Sequence, residues 1–368
     1  MFTFKQENND FSAVAGKISE WGRWVPTPTR VLTPKEIEHG EKIVNGPTSL
    51  KHFPHPIYEI TQDFYGITLQ AFIKNPDVSF KIQSRVESLS DKGGPRITLF
   101  HPMIDAGTHV TDLMNESLID LQLQANTDLV SIFDTRKISS SELAARISKS
   151  LKMIDEPLEP MICLRMDVER NAHFYQKLQV VKDAGLKVIN VNCVSPIKYY
   201  DNYLTIGKFA QENDVWVHMS EVDRTWRGNY QTSLMHFLAY FGVSSFAVKQ
   251  SRFGPGKYVK KPAKRFDARC LGHITSEEHG KKYGEKLACD CFVDSGKSRS
   301  DFYTSYSGAQ ILRSALAVHE TNCSWKEFKI FRKEILGSNG KGYAKRKDYL
   351  SPTFIKVKGI DLKTTSLV

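Results

Sequence analysis

Two thiols, a carboxylate and a distant imidazole are the side chains of this sequence whose types and spacing point most directly to chemistry. They stand in Cys289-Asp290-Cys291-Phe292-Val293-Asp294 and, one helical pattern later, at His319. Zn²⁺ takes sulfur, nitrogen and oxygen ligands in a tetrahedral set, so Cys289, Cys291, Asp294 and His319 form a candidate structural zinc site. Cysteines one residue apart can equally be ordinary thiols in a loop, and spacing alone leaves both readings open. From Ser307 the chain runs SGAQILRSALAVHE, which puts Ile311, Ala315 and His319 on one helical face at i, i+4 and i+8. The imidazole then points where the apolar stripe points, toward whatever the helix packs on.

A second set of candidates lies upstream, where acids follow short apolar runs: Asp105, Asp134, Asp167, and Glu221 with Asp223. The elements that must position them are strands at residues 97–104, 129–133, 161–166, 187–194, 215–219 and 245–248. Helical patterns alternate with these runs at 111–124, 139–153, 172–184, 199–212 and 231–240, the signature of βαβ units and a parallel sheet. A serine among Ser139, Ser140 and Ser141 caps the second helix with Glu142 in its first turn, and Gly185 closes the third. Acids recurring at strand C-termini favour a (β/α)8, TIM-like barrel, because those ends converge on one catalytic face. An Asp just after a strand also serves as a helix N-cap, so any single one of them has a structural reading too.

At 368 residues the chain can bury a large core, in one big α/β domain with an appendage or in two domains. Lys and Arg outnumber acids by 51 to 41, a net charge of +10 that favours a polyanionic partner such as nucleic acid. The positive charge concentrates in KQSRFGPGKYVKKPAKRFDAR, where Arg252, Lys257, Lys260, Lys261, Lys264 and Arg265 could neutralise phosphates while Phe253, Tyr258 and Phe266 stack on exposed bases. A solvated loop would have the same composition. The six cysteines, Cys163, Cys193, Cys270, Cys289, Cys291 and Cys323, have no framework spacing, and the N-terminus lacks the apolar run of a signal peptide. No stretch reaches the roughly 18 apolar residues of a membrane span. The expectation is a reduced, cytoplasmic protein, in a host cytoplasm if viral.

The organisation read from these features has residues 1–95 contributing the first barrel strands and 96–250 forming the barrel core with its strand-end acids. Residues 251–335 hold the basic stretch and the zinc subdomain, and 336–368 form a basic tail. The first ninety or so residues are turn-rich, with possible strands at 58–61 and 69–73.

Residues 96–335 resemble the tRNA-guanine transglycosylase superfamily, a (β/α)8 barrel with a C-terminal zinc subdomain that exchanges guanine for a 7-deazaguanine base. CDCFVD, SGKSRSDFY and GAQILRSALAVH are similar to the family's zinc and helix motifs, so the resemblance implies Zn²⁺ on Cys289, Cys291 and His319. Asp294 stands where the family has a third cysteine, and Cys323 is the alternative source of a thiol. Ile104-Asp105-Ala106-Gly107-Thr108 is similar to the segment whose aspartate moves a proton on the reacting base. Residues 127–134, TDLVSIFD, are similar to the segment whose last aspartate, here Asp134, recognises the guanine edge. His109 and Met219 fall where the family sandwiches the base. Its nucleophilic aspartate corresponds to Ala247 at the end of GVSSFA, which cannot attack; Asp167, Asp223 and Asp267 are the candidate replacements, and Asp105, Asp167 and Asp223 together are the catalytic candidates. Divergence of this kind resembles the phage and bacterial enzymes that insert 7-deazaguanines such as preQ0 into DNA. The implied partners are DNA, or tRNA in the alternative, and a free 7-deazaguanine base, in a possible homo- or hetero-dimer. A silent nucleic-acid-binding subunit of an active homologue is the rival the missing nucleophile suggests, and an unrelated TIM-barrel enzyme is the third.

Overall fold

The computed structural model describes residues 3–10, 13–20, 23–46, 52–65, 67–104, 108–125, 127–135, 138–155, 157–168, 170–225, 231–249, 262–350 and 352–354. Strands β1 (Thr3–Asp10), β2 (Ala13–Glu20) and β3 (Arg23–Thr27) form an antiparallel sheet in that order. The barrel follows: β4 (Thr29–Arg30), α1 (Pro34–Val44), β5 (Ile57–Asp63), α2 (Ile67–Lys74), α3 (Pro76–Asp91), β6 (Ile97–Met103), α4 (Asp112–Gln124), β7 (Leu129–Phe133) and α5 (Ser140–Ser150). It continues with β8 (Glu159–Leu164), α6 (Asn171–Asp183), β9 (Val188–Asn192), α7 (Tyr200–Asn213), β10 (Trp216–Val222), α8 (Leu234–Leu238) and β11 (Ser245–Val248). The eight strands β4 to β11 pair in parallel in sequence order, with β11 against β4. Just beyond β4, Leu32 bridges Tyr58 of β5, its N–H donating to the Ile57 carbonyl at 3.0 Å, and brings the sheet round on itself as a nearly closed TIM-like barrel.

Local sequence explains the elements. Ser139 caps α5 in a capping box with Glu142, and Gly185 adopts the left-handed backbone (φ 71°) that ends α6 without a Cβ penalty. Residues 69–73, expected as a strand, lie instead within helix α2. Their apolar positions fit either period over so short a run.

The barrel interior changes character along its axis. At the N-terminal end, Ile57, Ile97, Leu99, Leu129, Met161, Val188 and Trp216 pack into one apolar cluster with Phe4, Val14, Ile18 and Val25 of the three-stranded sheet, which therefore plugs that mouth. Toward the C-terminal end the inward side chains turn polar: Glu59, Asn190, His218, Ser220 and Ser245. The outward faces of the strands, including Ile162, Ile189, Val217, Met219 and Phe246, join the helices in a second apolar layer.

One seam of the barrel is splayed. Strands β6 and β7 share only the pairing Leu99 with Leu129, and α4 fills the gap from outside. The Gln122 amide accepts from the Ser131 N–H at 2.7 Å and donates to the Ser131 carbonyl at 3.1 Å, while Asn115 accepts from the Phe133 N–H at 3.0 Å. These side chains replace the missing ladder, since buried backbone groups must find partners.

Beyond the barrel come β12 (Lys264–Asp267) and β13 (Gly272–Thr275), an antiparallel pair, then α9 (Ser276–Tyr283), α10 (Arg299–Ser305), α11 (Ala309–Leu336) and α12 (Gly340–Lys345). Cys291, Val293, Phe302, Ala315 and Val318 of this subdomain share an apolar cluster with Phe53, Tyr58, Phe64 and Phe133, so the subdomain is continuous with the barrel core. Among the described residues no helix is long and apolar enough to cross a membrane.

Replacing Gln122 with Leu should lower stability by about 1–3 kcal/mol for each of the two Ser131 backbone groups it strands. Urea unfolding of the variant checks this, and an unchanged midpoint would show that the seam has another source of cohesion.

Candidate functional site

The C-terminal ends of β6 to β10 surround a cleft lined by His101, Asp134, Cys163, Arg165, Asn190, Asn192 and Glu221, with Thr108 and Val110 on its rim. This is the end of a (β/α)8 barrel at which sites are built. The cleft is the upper end of a continuous polar chain. His218 Nε2 lies 2.6 Å from Glu59 Oε2, and its Nδ1 lies 2.8 Å from Ser245 Oγ, which also accepts from Trp216 Nε1 at 2.8 Å. Ser220 Oγ stands 2.9 Å from Glu59 Oε2 and 3.1 Å from the Asn190 side-chain amide. That same amide is 3.3 Å from His101 Nδ1 and 3.6 Å from Cys163 Sγ, and His101 Nε2 is 3.9 Å from Glu221 Oε2.

The Ser220 hydroxyl faces both the Glu59 carboxylate and the Asn190 Oδ1, and the Asn190 NH₂ faces His101 Nδ1 and donates to Cys163 Sγ. His101 Nε2 is turned toward Glu221, and a proton on each ring nitrogen would make it an imidazolium. Burial opposes that charge, but the Cys163 sulfur and the Glu221 carboxylate, with Glu59 behind, hold the His101 pKa up at about 10. The cleft therefore combines a charged proton donor, a carboxylate and a polar amide, a set suited to a flat ligand with donors and acceptors on its edge.

The expected site residues fare unequally. Asp134 is buried in the cleft wall with Lys177 Nζ at 2.7 and 2.9 Å from its two oxygens and the Arg165 N–H at 3.2 Å. Burial nonetheless raises the Asp134 carboxyl above the usual range, with Lys177 opposing. Asp167 is held bidentate by Arg165 at 2.9 Å on each oxygen, and of the two only Arg165 lines the cleft. Asp223 does not line the cleft; it is half-buried beside Cys193. His109 is exposed, although its neighbours Thr108 and Val110 reach the cleft. Met219 is a correction: the pleat of β10 sends it outward into the helix layer, fully buried and away from the cleft. Asp105 and the basic residues Arg252, Lys257, Lys260 and Lys261 lie outside the described residues, as does the tail beyond 354.

Two further corrections concern the basic stretch. Lys264 is exposed, but Arg265 is only 2% exposed, ion-paired with Asp294 and stacked over Phe302 at 4.4 Å, so it cannot meet a polyanion. Asp267, one of the candidate nucleophiles, is bound to Arg269 at 2.9 and 2.6 Å, also away from the cleft. Ala247 is buried in the apolar cluster of the barrel interior and does not line the cleft. His101, Cys163, Asn190 and Lys177 escaped the sequence reading. For His101, Cys163 and Asn190 the signal is a single polar residue at an inward position of an otherwise apolar strand, whereas Lys177 lies on the buried face of helix α6.

Cys289, Cys291, Asp294 and His319 come together: one ligand atom from each lies within 4.8 Å of the others. His319 Nε2–H donates to the Phe266 carbonyl at 2.7 Å, which turns Nδ1 inward, 3.5 Å from Cys291 Sγ and 3.0 Å from Asp294 Oδ2. That is the arrangement by which a second partner fixes a ligating imidazole. Asp294 Oδ1 is buried without a hydrogen-bond partner. Cys323, the alternative fourth ligand, is hydrogen-bonded to Cys289 and stands beside the set. The four residues could hold a metal ion. Two thiolates and a carboxylate carry three negative charges, which a dication and the Arg265 guanidinium would balance in a buried site.

No protein-family model matches the chain, and no curated protein matches it either. What the fold and the sites define is a class: a TIM-like barrel with a polar strand-end cleft and a Cys–Asp–His cluster on an attached subdomain.

Elemental analysis of the purified chain should find one divalent ion per molecule, lost in Cys291→Ala together with several degrees of melting temperature; a metal-free protein that gains no stability from added Zn²⁺ would contradict this. An imidazole whose pKa rises on folding adds stability that is full below its ordinary value of 6.5 and is lost as pH climbs through about 10. The stability gap between the wild type and His101→Gln, read from urea midpoints, should therefore be widest near pH 6 and close by about pH 10. A gap independent of pH would refute the charged state of His101.

Proposed function

We propose that this protein is a base-exchange transglycosylase that removes guanine from DNA and inserts a 7-deazaguanine base of the preQ0 type. The observation that carries the reading is the cleft itself. A charged imidazole, a carboxylate and an amide converge from β6, β10 and β9 on one cleft, so both a flat heterocycle with donors and acceptors and a departing base in need of a proton suit it. The Cys–Asp–His cluster, read as a structural zinc site, would hold the C-terminal subdomain firm against β5 to β7, and the basic residues at 252–264 would supply phosphate contacts. The target nucleotide would have to leave the helical stack to reach the barrel mouth. Asp105 in this reading handles a proton on the base. Asp134 can recognise a guanine edge only by sharing its oxygens with Lys177.

A second reading has specific support. Ala247 occupies the position of the expected nucleophile, and the Asp134–Lys177 pair occupies the expected recognition carboxylate. Both fit a catalytically silent, nucleic-acid-binding subunit that partners an active homologue.

One experiment separates these readings. The isolated chain is incubated with labelled guanine and either duplex DNA or tRNA, and the expected result is label in DNA. Label in tRNA alone would move the substrate to tRNA, and no label in either, with DNA still bound, would favour the silent subunit.

A further inference from the structure

A break in one strand ladder decides which acid the cleft contains. Through Ser220 the pleat of β10 sends Trp216, His218 and Ser220 into the barrel and Val217 and Met219 out among the helices. Continued unbroken, it would bury Glu221 in that apolar outer layer and turn Val222 inward. The register between β10 and β11 instead shifts between Met219 and Val222, and Glu221 takes a left-handed backbone with φ 55°. The outcome is reversed: Val222 is buried in the outer layer, and the Glu221 carboxylate enters the cleft. Left-handed backbone is disfavoured for any residue with a Cβ, and bulges that re-aim a side chain gather at functional sites.

Among the described residues the cleft has two carboxylates, Asp134 and Glu221. Asp134 carries an ammonium on both oxygens, whereas Glu221 faces the imidazole of His101 at 3.9 Å. Glu221 also stands on the strand next to β11, where Ala247 leaves the interior without an acid. We propose that Glu221 is the nucleophilic carboxylate of this cleft and His101 its proton donor, an assignment that rests on the base-exchange reading. Exchange without hydrolysis is achieved by double displacement. A Glu221 oxygen attacks C1′ of the flipped nucleotide, and the electron pair of the C1′–N9 bond leaves with guanine. The guanine takes the proton from His101 Nε2, which leaves a deoxyribosyl ester on Glu221. The incoming base then attacks C1′ through its own N9, that nitrogen's proton returns to His101, and the ester C–O bond breaks to free the Glu221 carboxylate.

The test begins with the wild-type chain, so it does not depend on a variant folding. The protein is incubated with guanine-containing duplex DNA without an incoming base, quenched in acid and mapped by peptide mass spectrometry. A DNA adduct on the peptide containing Glu221 is expected. Glu221→Gln should form no adduct and exchange labelled guanine slower by on the order of 10³-fold or more, with DNA affinity within about threefold. His101→Gln should still form the adduct, but slowly. Exchange by the wild type with the adduct on another acid, or Glu221→Gln exchanging at the wild-type rate, would overturn this assignment and leave base exchange standing. A wild type that neither exchanges nor forms an adduct with DNA or tRNA would overturn both.

Discussion

A carboxylate sealed inside the barrel, Glu59, sets the terms for everything above it. Its Oε2 has His218 at 2.6 Å and Ser220 at 2.9 Å. An uncompensated charge at that depth would cost several kcal/mol, so these partners are obligatory. Each partner then needs its own, and the requirement travels in both directions: down to Ser245 and Trp216, up through Asn190 to Cys163, His101 and Glu221. Asn190 at the cleft floor takes its oxygen to Ser220 and its NH₂ to His101 and Cys163. The interior of the barrel thus does more than fill space, since its polar chain runs from the sealed carboxylate to the groups at the mouth.

The barrel was legible in the sequence because a parallel sheet covered by helices writes its strands as apolar runs and its helices with ordinary caps. The N-terminal sheet was not. Strand β1 reads TFKQENND and buries only Phe4, so its pairing comes from neighbours and not from its own pattern. Within the site, strand-end acids drew the reading toward Asp167 and Asp223, while the polar residues one or two positions earlier point into the barrel. Met219 could have been placed from parity, because His218 and Ser220 on either side of it are inward. Glu221 could not, since its direction depends on a register shift that no residue type announces. Arg265 was counted with its basic neighbours because charge density is local in sequence, whereas its partner Asp294 is remote.

Arg265 also joins the two sites into one argument. Its side chain reaches from β12 to the cluster, ion-paired with Asp294 and 3.1 Å from His319 Nδ1. With the thiols protonated, Asp294 neutralises it and His319 Nδ1 accepts from it, which leaves Asp294 Oδ1 without a hydrogen-bond partner. With both thiols ionised and a dication among them, every charge is matched, Arg265 becomes a partner of the ligand Asp294, and Asp294 Oδ1 gains a partner.

Helix α11 carries this local balance to the barrel through three consecutive residues. His319 faces the cluster, and Glu320 meets Arg30, Arg224 and His273 at 3.8, 3.7 and 3.2 Å. Thr321 donates to Glu36 at 2.9 Å, the same carboxylate that pairs with Arg30 at the end of β4. Successive residues of a helix project about 100° apart, so one rotation of α11 must satisfy the cluster, the buried ion network and α1 together. A shift of the helix that loosened His319 would pull the buried Glu320 from Arg30, Arg224 and His273 and Thr321 from Glu36. The metal-type cluster, although remote in sequence from the cleft, is therefore bound into the first strand of the barrel, and its integrity and the shape of the barrel's closing seam are one mechanical problem.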